Sequence, residues 1–159
     1  MLVDGHASGT RYSNEIQMAT DAIQRSLPQH RDWLECVVQS LTGGAAIASD
    51  DLADEAHRLC TFGRWLYREP AACMDVAGAI APIEEEHARL HGLARQLLRE
   101  RAMRRPVSPS DVHRLMHSYD TLLDRTYCAR TALRDMLWRG KTDSRYFRAM
   151  SYGSGALSV

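Results

Sequence analysis

The chain has 159 residues, 45% hydrophobic and 25% charged, which suits one globular domain with enough core to stand without disulfide staples. Its 20 basic and 20 acidic side chains cancel, so no overall field draws nucleic acid or anionic lipid, although Arg101, Arg104 and Arg105 form a small local cluster. No apolar run approaches the roughly 18 residues that cross a bilayer, and the opening "MLVDGHASGT" has an early acid and no apolar core, so it does not read as a signal peptide.

The expected location is therefore the cytoplasm, without membrane insertion. Four cysteines, Cys36, Cys60, Cys73 and Cys128, are far apart with no CxxC pair. That pattern argues against a thiol-redox motif, a zinc ribbon and a secreted disulfide framework.

Apolar residues recur at helical spacing almost throughout, and no segment alternates as a half-buried strand does, so the fold class is all-α. A first helix is expected from a cap at Ser13, with Ile16, Ala19, Ile23, Leu27, Leu34, Val37, Val38 and Leu41 on one face, until "TGG" at 42–44 stops it. Pro28 lies inside that pattern and removes a backbone hydrogen bond, which predicts a kink or break. "SDD" at 49–51 offers caps for a second helix expected over about 51–68, its acidic first turn suiting the helix dipole. A third segment begins near Pro70, and Pro82 either kinks it or starts a new helix that continues to about Met103. "RRPVSPSD" reads as a connector, with Ser108 or Ser110 capping a last long helix that Gly140 ends. These elements predict an antiparallel four-helix bundle over 13–139, with flexible termini at 1–12 and 140–159.

Two of the seven histidines form a pair on the apolar stripe of the third helix. His87 and His91, in "EEEHARLHGL", have the i, i+4 spacing that sets both imidazoles on one face, alongside Leu90, Leu97 and Leu98. His113 and His117 share that spacing but fall at the edge of their stripe. On the first helix His30 sits among Leu27, Leu34 and Val37, where an inward imidazole needs a partner. Cys60 follows Leu52, Ala56 and Leu59 towards Leu66 and also points inward. Taken singly, each residue reads first as a satisfied core histidine or a small buried thiol. Taken together, they form a Cys/His set contributed by three helices, the way bundles build metal sites. In "CTFGRWLY", Gly63 costs a helix interior about 1 kcal/mol, and its lack of a side chain leaves room for a close approach to the thiol.

The elements "HRDW" at 30–33, "CTFGRWLY" at 60–67 and "HARLH" at 87–91 resemble the signature of the chemoreceptor zinc-binding domain, abbreviated CZB, of bacterial signalling proteins. The resemblance spans about 14–137. It implies a homodimeric four-helix bundle with zinc held by His30, Cys60, His87 and His91, with Phe62, Gly63 and Trp65 surrounding the cysteine. Trp33, one turn after His30, either shields the metal or packs the bundle. His6, His57, His113 and His117 match no ligand position and read as surface residues, and Cys36, Cys73 and Cys128 read as ordinary.

No phosphate loop, Ser/His/Asp order or HExxH appears, and four protein donors leave zinc no open position, so an enzyme is not expected. The resemblance implies a sensor that regulates a chemoreceptor or a diguanylate cyclase, through zinc occupancy or oxidation of a redox-reactive Cys60. The alternatives are a zinc-stapled structural module and a metal-free helical dimerisation or adaptor module. The chain ends in "GKTDSRYFRAMSYGSGALSV", without a motif like "LTGLxNR" that opens a cyclase domain, so the expectation is a sensor acting in trans or a fragment of a longer protein. Trp138, Tyr146 and Phe147 are candidates for contact with another chain.

Overall fold

Residues spaced three and four apart along Ile16, Ala19, Ile23, Leu34, Val37 and Leu41 are all buried, and that stripe drives one long helix, α1, over Gly5–Thr42. The computed structural model describes residues 5–68 and 74–152, with side chains over 10–67 and 74–140. A second stripe, Val76, Ile80, Ile83, Leu90, Ala94, Leu97 and Leu98, forms α4 over Met74–Ala102. A third, Leu115, Leu122, Ala129 and Leu133, forms α5 over Pro109–Tyr152. Between α1 and α4 lie a 3-10 turn at Ser49–Leu52, the short α2 at Ala56–Leu59 and α3 at Thr61–Arg68.

The result is an all-α bundle whose second column is made of these three pieces. Its rungs against α4 descend in order: Arg99 donates to the Leu52 carbonyl, Arg95 to that of Asp54, and Cys60 lies beside His87. That column therefore runs antiparallel to α4. The C-terminal ends of α1 and α4 lie together, with Arg101 beside Gly43. Further down, Glu86 of α4 accepts from Ser118 of α5.

Several element boundaries differ from the sequence expectation, each for a local reason. Pro28 and Pro82 break neither helix. Each proline faces solvent, as does the residue one turn before it, Gln24 or Gly78, so water can serve the carbonyl that loses its donor. The expected helix over 51–68 is interrupted at Cys60, whose φ of −66° and ψ of 158° are extended. α1 is already formed at Gly5, ahead of Ser13, and α5 passes through Gly140 to Tyr152. A glycine stops a helix when it turns left-handed, and Gly43 is the glycine with positive φ, 86°, among the described residues. Residues 1–4, Pro70, Cys73 and 153–159 lie outside the described residues, as do the side chains of His6, Tyr146 and Phe147.

The helix ends follow ordinary capping chemistry. At Gly43 the amides of Gly43 and Gly44 donate to the carbonyls of Ser40 and Gln39, a Schellman ending. Ser108 caps α5: its hydroxyl accepts from the Asp111 amide while Asp111 accepts from the Ser108 amide, with Pro109 at the first helical position. α4 ends in the same hydrogen-bond pattern as α1, Arg104 to Arg101 and Arg105 to Glu100, but Arg104 holds the left-handed position at φ 57°. A side chain there costs about 1 to 2 kcal/mol. Arg104→Gly is accordingly expected to raise stability by about 1 kcal/mol, read as a higher urea midpoint with unchanged slope; a lower midpoint contradicts the assignment of strain to this residue.

Candidate metal centre

His30, His87 and His91 occupy positions on the core stripes of α1 and α4 where leucine or isoleucine stands one or two turns away. They are 5%, 0% and 3% exposed, so the helix periodicity that buries the core also buries the imidazoles. Cys60 arrives differently. The chain leaves α2, extends at residue 60 and re-enters α3, so that Cys60 is the N-cap of α3 and its Sγ accepts the Gly63 amide hydrogen at 3.2 Å.

Gly63 makes this turn possible. A Cβ on it would lie 2.8 Å from the carbonyl carbon of His57 and closer still to its oxygen. The same carbonyl accepts from the Cys60 thiol at 3.6 Å. The close approach expected at Gly63 is thus made by the backbone of α2.

Four donor atoms converge: one each from His30, Cys60, His87 and His91, all within 4.8 Å of one another. Cys60 Sγ is 3.3 Å from His87 Nε2 and 3.9 Å from His30 Nε2. A tetrahedral zinc with ordinary Zn–N and Zn–S bonds sets its ligand atoms roughly 3.3 to 3.6 Å apart, so the two Cys60 pairs already stand within about half an ångström of that spacing. The nitrogens leave room for such an ion. His30 Nδ1 donates to the Ser26 carbonyl at 2.9 Å, which turns Nε2 inward. His87 Nδ1 and both nitrogens of His91 are buried without a hydrogen-bond partner among the described residues. An orphaned polar group costs about 1 to 3 kcal/mol, and a cation at the centre of the cluster would relieve one of the two His91 nitrogens.

The electrostatics prepare the rings for a cation. Burial, reinforced by the neighbouring imidazoles, pushes the His87 pKa down to about 2, and burial followed by the charges of His30 and His57 pushes that of His91 to about 3. His30 is lowered by burial too, against the Ser26 carbonyl. All three are neutral at physiological pH, the form that binds metal. Burial raises the Cys60 thiol, opposed by the amides of Gly63 and Phe62 and by Arg64; a coordinated cation reverses that balance by deprotonating the thiol outright.

Aromatic rings close the site. Trp33 stacks on His91 with centroids 4.2 Å apart, and its Nε1–H donates to Asp51 at 2.8 Å. Phe62, buried, stands edge-on to His30 and His87, and Trp65 stacks on Phe62. Trp33 therefore both packs and shields. His113 and His117 are exposed, as expected, and so are Cys36 and Cys128. His57 is half-buried and lines a cavity with His91, which corrects its reading as a surface residue. Its place three residues before Cys60 was the one available signal.

The family model of the chemoreceptor zinc-binding domain matches residues 30–98, the span that runs from His30 through Cys60 to just past His91. Over those residues the chain is similar to the CZB family. None of the curated proteins and none of the solved structures matches the chain. The CZB match and the His/Cys/His/His cluster, which is able to hold a metal ion, together support a zinc-binding sensory domain. CZB domains belong to signalling proteins, and the family is regulatory rather than catalytic. No helix among the described residues is long and apolar enough to cross a membrane.

Two outcomes follow from this geometry. Gly63→Ala is expected to destabilise the protein by about 1 to 3 kcal/mol through overpacking, seen as a lower urea midpoint; an unchanged midpoint contradicts the close approach to His57. For the zinc-free protein, His87 and His91 bind protons in the unfolded chain below 6.5, the ordinary histidine value, but not in the folded one. Stability is then complete above pH 6.5 and falls below it, by about 1.4 kcal/mol per pH unit for each imidazole. Urea unfolding of the chelated protein at a series of pH values tests this, and a flat profile down to about pH 5 contradicts it.

Proposed function

We propose that His30 through Nε2, Cys60 through Sγ, and His87 and His91 hold the zinc, and that the bundle over 13–139 is the regulatory unit. The observation that carries this reading is the convergence of four donors from three elements on one point, with buried imidazole nitrogens left unpartnered there. Four protein donors close the coordination sphere, so the metal serves regulation or structure and not catalysis.

Cys60 gives the site a means of signalling. Its Sγ is at once a metal ligand and the cap of α3, so a change at the sulfur is a change at the start of a helix. A two-electron oxidant such as a peroxide or hypochlorous acid converts the thiolate to a sulfenic acid, which weakens one zinc bond and the cap together. The output is a chemoreceptor or a diguanylate cyclase engaged in trans, in the cytoplasm, by a homodimer of this chain. Exposed Met116, Tyr127 and Trp138 along α5 suit a contact between copies. The closed donor set favours a second reading as well, in which zinc staples the bundle without signalling.

Zinc content measured by elemental mass spectrometry, with and without peroxide, tests the proposal. Wild-type protein is expected to hold stoichiometric zinc and to release it on oxidation, while Cys60→Ala and His91→Ala do not retain it against a moderate chelator. Retention by wild type after oxidation leaves the staple. Full zinc in Cys60→Ala overturns the ligand assignment.

A further inference from the structure

Beside the metal centre, the 54–57 segment and α4 enclose a cavity of about 120 Å3, walled by Asp54, His57, Ala88, His91, Gly92 and Arg95. Of the four donors it borders His91 alone. Small residues one turn apart on α4 make its floor: a Cβ at Gly92 would meet nothing within 4 Å. The His57 ring is held edge-on to Tyr67, 5.6 Å away. At the rim Asp54, 80% exposed, is fixed by Arg95 and Arg99 at 3.1 Å each.

We propose that this cavity is the route by which zinc enters and leaves the centre, through His91, with His57 as the transient ligand on the way. The inference rests on the four-ligand reading above. A zinc ion enclosed by four protein donors exchanges only if one of them lets go or another donor joins. His30 and His87 are walled by Phe62, by each other and by the core, and half-buried Cys60 does not line this cavity, whereas His91 does, and the space holds several water molecules.

His57 stands outside the set of donor atoms that lie within 4.8 Å of one another, so it is not a resident fifth ligand. It shares the cavity with His91, and its charge is felt at His87 and His91. A ring in that position can take up the coordination that His91 releases, returning His91 to the cavity wall, with no proton or electron transferred.

The test is the rate at which the zinc-loaded protein gives up its metal to excess pyridylazoresorcinol, followed by absorbance, with zinc content measured in the same samples. His57→Phe keeps a ring against Tyr67 but has no donor, and Gly92→Leu fills the floor from the opposite wall. Each is expected to retain wild-type zinc content and to transfer it about tenfold more slowly. Wild-type or faster transfer from both variants at full zinc content overturns the route. Cys60→Ala, run alongside, separates the two ideas. If it holds zinc as the wild type does, the ligand assignment fails and the route fails with it. If it loses zinc while the two cavity variants exchange normally, the route alone fails.

Discussion

The carbonyl of His57 and the backbone of α3 lie so close that only a glycine at 63 fits between them, and the metal centre depends on that approach. It lets the chain make a tight corner between two short helices. At the corner Cys60 takes an extended conformation, which turns its sulfur away from solvent towards the α1 and α4 imidazoles. A continuous helix through this region would carry residue 60 on a helical face set by its neighbours. The corner sets its direction independently.

The histidines are placed by the opposite principle. They sit on stiff, long helices, at stripe positions whose neighbours Leu34, Ile83, Leu90 and Ala94 are fully or nearly fully buried. Rigid packing above and below holds three rings in register, while burial keeps them uncharged and receptive. The layer is more polar than the rest of the core: Glu86, one residue before His87, is buried too and is satisfied by Ser118 and Arg89. Such a layer is costly in an apolar bundle unless something at its centre uses the lone pairs. In the proposed site binding and folding are thereby linked, since the same three imidazoles that burden the empty bundle would be ligands in the filled one.

How much of this was legible in the sequence follows from how each residue is positioned. His30, His87 and His91 interrupt apolar stripes of strict helical spacing, and that spacing is the strongest signal a sequence offers. Cys60 was read as inward by treating 51–68 as a single helix in which it lined up with Leu52, Ala56 and Leu59. Leu59 is 44% exposed, and the inward turn comes from backbone geometry instead. The prolines misled in the other direction, because the tolerance of Pro28 and Pro82 depends on which side of the helix faces water. His57 carried no periodic signal at all; its place beside His91 comes from the antiparallel return of the 49–68 column, a tertiary fact. The Gly140 stop failed for a related reason, since a glycine ends a helix only where its backbone leaves the helical conformation, as Gly43 does.

The ring stack between Trp33 and His91 has an optical meaning. Of three tryptophans, one lies face to face with the His91 ring, a second adjoins the site through Phe62, and the third, Trp138, is 72% exposed. Indole emission is sensitive to solvent and to adjacent charge, so the site-proximal pair emits from a drier, blue-shifted environment than Trp138. The protein thus carries a native fluorophore in van der Waals contact with its own metal site, and filling or emptying that site is written into its emission without any added label.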